Sequence, residues 1–386
     1  MIKIAFILIL FSLLTACQEY TPPEARGKID YDKILNQSCK KIVINGMELL
    51  PLDTCYISAD MASMEGNFFL KGDTLCFADQ IACSVLFYDL NGKYLSSKLA
   101  PGRGPNEILG LHQITREPTG TGYVIMDTQW GIYALDSTLT PSSKFMIRFG
   151  SPGKVQEPDP NNTGIYEVEY AKNKLQVHGE TLFFPIVTEH VNFNAYEGKC
   201  ARHYYAESFT LAQFSLKNGR IEKKLCNYPP IYQQYKYISN FKFILFEVIE
   251  NDLLFSFEID SLVYRMNLQD STLSSFGNAG KGMRQDYPTY QTFKDYNENN
   301  ATCRKTYGYY HDLKWIPETG TLFRTYQKGK APLPDGLQVY KNNCLVADLD
   351  VPRYFSVFGY AHPYYYATAT HDFDNERFII YKFQIP

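Results

Sequence analysis

The chain has 386 residues, 38 of them basic and 41 acidic, for a net charge of -3 at neutral pH. So even a balance leaves no electrostatic footprint for nucleic acid, and none is expected as a partner. Past the N-terminus no run approaches the roughly 18 consecutive apolar residues of a spanning helix, whereas aromatic residues reach 15 %, with 31 Tyr and 26 Phe.

The first element, MIKIAFILILFSLLTACQ, sets one lysine before an apolar run of about a dozen residues that ends in small residues and a cysteine, the pattern of a signal segment. Leu14-Thr15-Ala16-Cys17 resembles the lipobox of bacterial lipoproteins. That resemblance implies removal of residues 1–16 and acylation of the Cys17 thiol, with a membrane as the partner of the N-terminal lipid. Each buried CH2 of an acyl chain contributes about 0.8 kcal/mol. Residues 17–38, opening CQEYTPPEARGKIDYDK, are polar and Pro-containing, as a flexible lipidated tether should be. Acidic residues so close to Cys17 resemble a surface-export signal of Bacteroidetes lipoproteins. The expected location is the cell envelope, lipid-anchored to the outer membrane on its periplasmic face or at the cell surface.

Eight further cysteines follow: Cys39, Cys55, Cys76, Cys83, Cys200, Cys226, Cys303 and Cys344. Export permits disulfides, but eight cysteines allow 105 pairings. Buried free thiols acting as small apolar residues are an equal reading. There is no CxxC and no regular Cys/His spacing, so no metal and no cofactor is expected.

Residues 39–386 read as one all-β domain: short alternating or β-branched runs end at Asn-Gly, Asp-Ser, Gly-Asn or Pro-rich points. A unit of three strands recurs. It runs from Asp73 to Ala100, where Asn91-Gly92 supplies a tight hairpin; from Gly122 to Phe149; from Glu180 to Cys226, with an insertion; from Asn251 to Gly277; from Gly320 to Asp350; and from His362 almost to the C-terminus. A weakly apolar stretch before each unit, such as LGLHQITREP, supplies an innermost strand. The pattern predicts a six-bladed β-propeller with four-stranded antiparallel blades. KKIVING near Lys40 has no blade of its own and is expected to pair with the final strand, so that N- and C-terminal strands close the ring and remove exposed edges.

KLAPGRGPNEILGL, residues 98–111, falls where the chain crosses from an outer strand to the next inner one. Gly280-Lys281-Gly282 echoes Gly102-Arg103-Gly104 at the matching point after the fourth unit, and Asp286-Tyr287 echoes Glu107-Ile108. A repeated turn at matched positions is structural. A phosphate loop would need GxxxxGK[ST] between strand and helix, and neither spacing nor helix is present. The lipobox, the repeats with YDLNGKYL and the G-x-G-P-x-E-I motif together resemble the six-bladed, TolB-like β-propeller lipoproteins of Bacteroidetes, a group that includes many members of unknown function. The resemblance implies a propeller on the cell envelope and carries over no catalytic residue.

In a propeller, outer-to-inner crossings and loops joining the two middle strands of a blade emerge on one face. The long elaborations here are of those two kinds: Pro185 to Ser208, the crossings from Tyr228 and Lys281, and KGKAPLPDG. A binding face is therefore expected there, with Arg103, Glu107, His190, His203, Tyr232, Tyr235, Lys281, Asp286, Tyr287 and Tyr290 as candidates. Tyrosines stack on sugars or grip peptides, but they also fill wedges between blades. The histidines lack an HxxH or HExxH context, and Arg103, Glu107 and Asp286 equally suit salt bridges within crossings. The expected function is a non-catalytic binding module for an envelope protein or glycan partner. The alternatives are an envelope lyase, lactonase or glycan hydrolase using channel carboxylates, and a structural subunit whose channel is filled by bulky side chains.

Overall fold

A computed structural model describes residues 29–41, 50–116, 122–150 and 155–385, apart from residues 173, 189, 236, 237 and 331. The signal segment and Cys17 lie outside the described residues. Six antiparallel sheets form the blades of a propeller, each counted from the axis outward. Blade one is Gly66–Lys71, Thr74–Asp79, Ser84–Asp89 and Tyr94–Lys98; blade two is Gln113–Arg116, Tyr123–Met126, Gly131–Leu135 and Pro141–Met146. Blade three begins with Gln176–His178, joined by Glu167–Val168, and continues through Thr181–Val187, Phe209–Ser215 and Arg220–Asn227. Blade four is Ile244–Ile249, Asp252–Phe257, Val263–Asn267 and Leu273–Phe276, and blade five is Tyr309–Ile316, Thr321–Gln327, Asp335–Lys341 and Cys344–Val351. The sixth comprises Ser356–Ala361, Tyr364–Thr368, Arg377–Phe383 and, from the other end of the chain, Asp53–Ser58.

Alternation explains why such short strands suffice. In Thr74–Asp79, Leu75 and Phe77 pack toward blade six while Cys76 and Ala78 pack toward blade two. A period of two thus serves two interfaces at once, and buried residues fill every boundary between neighbouring blades. The repeated Asp or Asn that ends the third strand closes the next turn: the Asp89 carboxylate accepts from the Asn91 and Lys93 amides, both at 2.9 Å, and Asp136 accepts from Thr138 and Thr140 at 2.8 and 3.0 Å.

The ring is closed by Asp53–Ser58, which pairs antiparallel with Arg377–Phe383. The expectation that KKIVING closes it is corrected: Cys39–Lys40 instead adds a parallel strand outside blade five, and residues 42–49 lie outside the described residues. Asp53–Ser58 alternates inward Ile57 with exposed neighbours, which suits an outer strand facing one neighbouring blade. Residues 29–38, read as tether, run along the rim of blades three to five. Ile29 donates to Asn227 at 2.9 Å, and Leu35–Asn36 pairs parallel with the outer strand of blade four. A Cys39–Cys344 disulfide fastens this strap to blade five, while Cys55, Cys76, Cys83, Cys200, Cys226 and Cys303 are free thiols.

Candidate functional site

Three insertions, all on the face predicted to be elaborated, fold into a cap. They carry helix α1 (Gly198–Glu207), α2 (Ile231–Gln234) and α3 (Phe293–Thr306). α3 starts at a side-chain cap, Thr292 accepting from the Asp295 amide at 3.1 Å. Its far end is held down by Arg304, which pairs with the fully buried Glu258 at 2.6 Å and lies 4.2 Å over the Tyr309 ring.

Most of the predicted binding aromatics build this cap rather than a surface. Tyr232 is 1 % exposed, stacks on Tyr205 at 5.1 Å and donates to the Phe241 carbonyl at 2.6 Å. Tyr287 is buried and donates to the Gly308 carbonyl at 2.6 Å; Tyr235 packs edge-on to it at 5.3 Å. Tyr290 is half-buried, 3.0 Å from the Cys303 sulfur. Burial pushes the phenols of Tyr205, Tyr228, Tyr232 and Tyr287 well above the usual tyrosine range. The cap therefore extends the apolar core of blades two to four. No sequence signal separates a tyrosine that fills a wedge from one that grips a ligand.

The remaining candidates are scattered. His190 is buried, with Nδ1 accepting from the Asn192 amide at 3.2 Å and Nε2 donating to the Val155 carbonyl at 2.9 Å, so both ring nitrogens are spent on loop geometry. His203 is exposed on α1 beside the Phe193 ring. Lys281 and Asp286 are exposed, and Asp286 pairs with Arg284 at 2.7 Å. Arg103 and Glu107 lie on the crossing from blade one to blade two, apart from the cap. There the Glu107 carboxylate folds back to accept from the Gly104 amide at 2.6 Å. Gly102, at φ +151°, allows that approach, since a Cβ there would meet the Glu107 carboxylate oxygen at 2.0 Å. The glycines of residues 98–111 thus make a self-bonded crossing turn.

The concavity lies on the axis. A cavity of about 860 Å³ is lined from all six inner strands and from their short hairpins on the face opposite the cap, including Gly72, Glu250, Pro317 and Glu318. Phe69, Trp315, Phe358 and Tyr360 give it flat apolar surfaces; Asn67, Gln113, Thr115 and Gln176 give it amide and hydroxyl groups. Its inward carboxylates are engaged. Glu247 pairs with Lys174 at 2.5 Å, and Lys174 also donates to the Leu313 carbonyl at 2.8 Å. Asp312 accepts from Ser356 at 2.6 Å and from the Leu313 amide at 2.9 Å. His311 stands 3.2 Å from the fully buried Asp335. Lys172 has no hydrogen bond or ion pair to another described residue. Burial pushes its amine below the ordinary lysine range, Arg304 adds to that, and Glu258 and Asp312 oppose it. Sequence reasoning missed these residues because they sit in the weakly apolar inner stretches; the available signal was charge inside strands, as in HDLKW and ILFEV.

The sequence matches no family model and no curated protein. In structure the chain is similar to a member of the DUF4221 family from Bacteroides vulgatus, with a TM-score of 0.63 and 11 % identity over 87 % of this chain and 98 % of that one. It is also similar to a Bacteroides fragilis protein designated as exported, with a TM-score of 0.52 and 13 % identity over 91 % and 98 %. Likeness at such identities establishes the fold alone: a six-bladed β-propeller.

Proposed function

We propose that this chain is an exported, lipid-anchored envelope protein whose propeller is a binding module with its ligand seat in the central channel. The observation that carries the reading is the channel itself. Its size falls in the roughly 300 to 1,000 Å³ range of small-molecule sites, and it combines flat aromatic walls with a few polar groups from all six blades. A purely structural ring would fill its axis with bulky side chains. Cys17 supplies the anchor in this reading, and the exported designation of the Bacteroides fragilis neighbour agrees with it. The Cys39–Cys344 disulfide fits an oxidising compartment. Among the described residues no helix is long and apolar enough to cross a membrane.

The test is native mass spectrometry of the protein purified from its own envelope, beside Thr115→Trp, which places an indole in the channel. The wild type should carry a bound mass that the variant has lost, both sharing the mass of an acylated N-terminus. Equal loading of the two folded proteins would refute the channel as the seat, and an unmodified Cys17 would refute the anchor.

A further inference from the structure

The channel's charges are not evenly satisfied. Both inward carboxylates have partners, Glu247 in Lys174 and Asp312 in Ser356 and the Leu313 amide, so neither awaits a cation. Lys174 is in turn neutralised by Glu247. Lys172, half-buried at the capped end of the same cavity, has no ion-pair partner among the described residues, and neither do Arg116 and Lys314 on the same lining. A partly buried ammonium with carboxylates, Glu258 and Asp312, acting on it but no direct ion pair is held at a cost that an incoming anion relieves. The same cavity is lined by neutral hydrogen-bonding groups, Asn67, Gln113 and Thr115, and, toward its open mouth, by the flat rings of Trp315 and Tyr360. Amides and hydroxyls match a ring bearing several hydroxyl groups, and aromatic faces match the apolar C–H face of such a ring.

We propose that the channel binds an acidic sugar of the uronic acid class, its carboxylate on Lys172 and its hydroxyl groups on the amides that line the same cavity. This rests on the channel being the ligand seat and adds the chemistry of what sits there. Lys172 is the specificity-determining residue: a carboxylate–ammonium contact away from bulk water separates an acid from its neutral counterpart by about tenfold or more.

The experiment is calorimetric titration of the full mature protein with sodium galacturonate, galactose, benzoate and inorganic phosphate as probes. Galacturonate should bind at least tenfold more tightly than each of the others. Lys172→Met should lose about tenfold for galacturonate and nothing for galactose, Lys172→Arg should keep most of the affinity, and Glu318→Gln at the opposite rim should change little. Equal affinity for galacturonate and galactose overturns the proposal while leaving the channel as a seat for neutral sugars. Tighter binding of benzoate or phosphate overturns the sugar assignment. Undiminished binding by folded Lys172→Met overturns the role of Lys172. Absence of binding by every probe overturns the ligand class, and the Thr115→Trp comparison then decides separately whether the channel is a seat at all.

Discussion

Replacing Cys39 and Cys344 together by serine tests the compartment and the architecture in one step. The two cysteines are 305 residues apart in sequence, so their bond closes nearly the whole domain into a loop. In the chain-entropy account the loss of denatured-state freedom grows with the logarithm of loop length, and a loop of that size corresponds to about 5 to 6 kcal/mol, a ceiling because residual structure in the unfolded chain reduces it. A folded domain of about 350 residues has an unfolding entropy near 0.7 kcal/mol per kelvin, so the ceiling corresponds to a fall in Tm of about 8 °C. Calorimetry of the wild type with and without reductant, beside Cys39→Ser/Cys344→Ser, measures it. The reduced wild type and the double variant should melt together, several degrees below the oxidised protein. Midpoints within about 1 °C of one another would refute the argument, as would peptide mapping that finds both thiols free in protein from the native envelope.

Two other substitutions probe the buried charges. Arg304→Met strands the fully buried Glu258 carboxylate and should cost about 3 to 5 kcal/mol by urea unfolding. Adding Glu258→Leu should recover most of that, and a double variant as unstable as the single one would show that the cap depends on something other than charge pairing. Lys224 is 1 % exposed, and burial lowers its pKa to about 8. The unfolded chain therefore binds the extra proton between about pH 8 and the ordinary lysine value of 10.5. The penalty is complete below pH 8 and relieved as pH rises through that window, a gain of about 3 kcal/mol. Stability of Lys224→Met, measured from pH 7 to 10.5 against the wild type, should lack this rise; parallel profiles would show that Lys224 does not carry it.

The ring was legible in the sequence because its signals are local. Asn91-Gly92, Asp136 and Asn267 mark turns by their own side-chain chemistry, and the alternation in TLCFAD follows from each middle strand serving two blade boundaries. The closing strand was misplaced because DTCYIS, half exposed and half turned to one neighbour, alternates no more clearly than KKIVING. Neither helix was expected: α3 carries a cap signal in Thr292 and Asp295 that the strand reading passed over, whereas α1 follows Glu197, which makes no side-chain cap, and hides among tyrosines. The channel was least legible. Lys174 and Glu247 meet across 73 residues of sequence, and Asp312 and Ser356 across 44, distances over which no spacing rule operates.

The relation between cap and channel follows from the same topology. Long insertions can enter a propeller at little cost on the face where outer strands cross to inner ones, because those connections already span the disc. Here they brought enough tyrosine to build their own packing, which buries Tyr204, Tyr205, Tyr228, Tyr232 and Tyr287. The hairpins joining the first two strands of a blade have no such freedom. Gly72 and Gly320 take left-handed φ values of +57° and +59° in the tight turns of blades one and five, and blade four turns at Glu250 and Asn251. These described hairpins are too short to fold over the axis, so the channel keeps a mouth lined by Gly72, Glu250, Pro317 and Glu318. In the proposed reading a ligand enters by that mouth and reaches Lys172 last, so that the elaborated face closes the seat and the plain one admits to it.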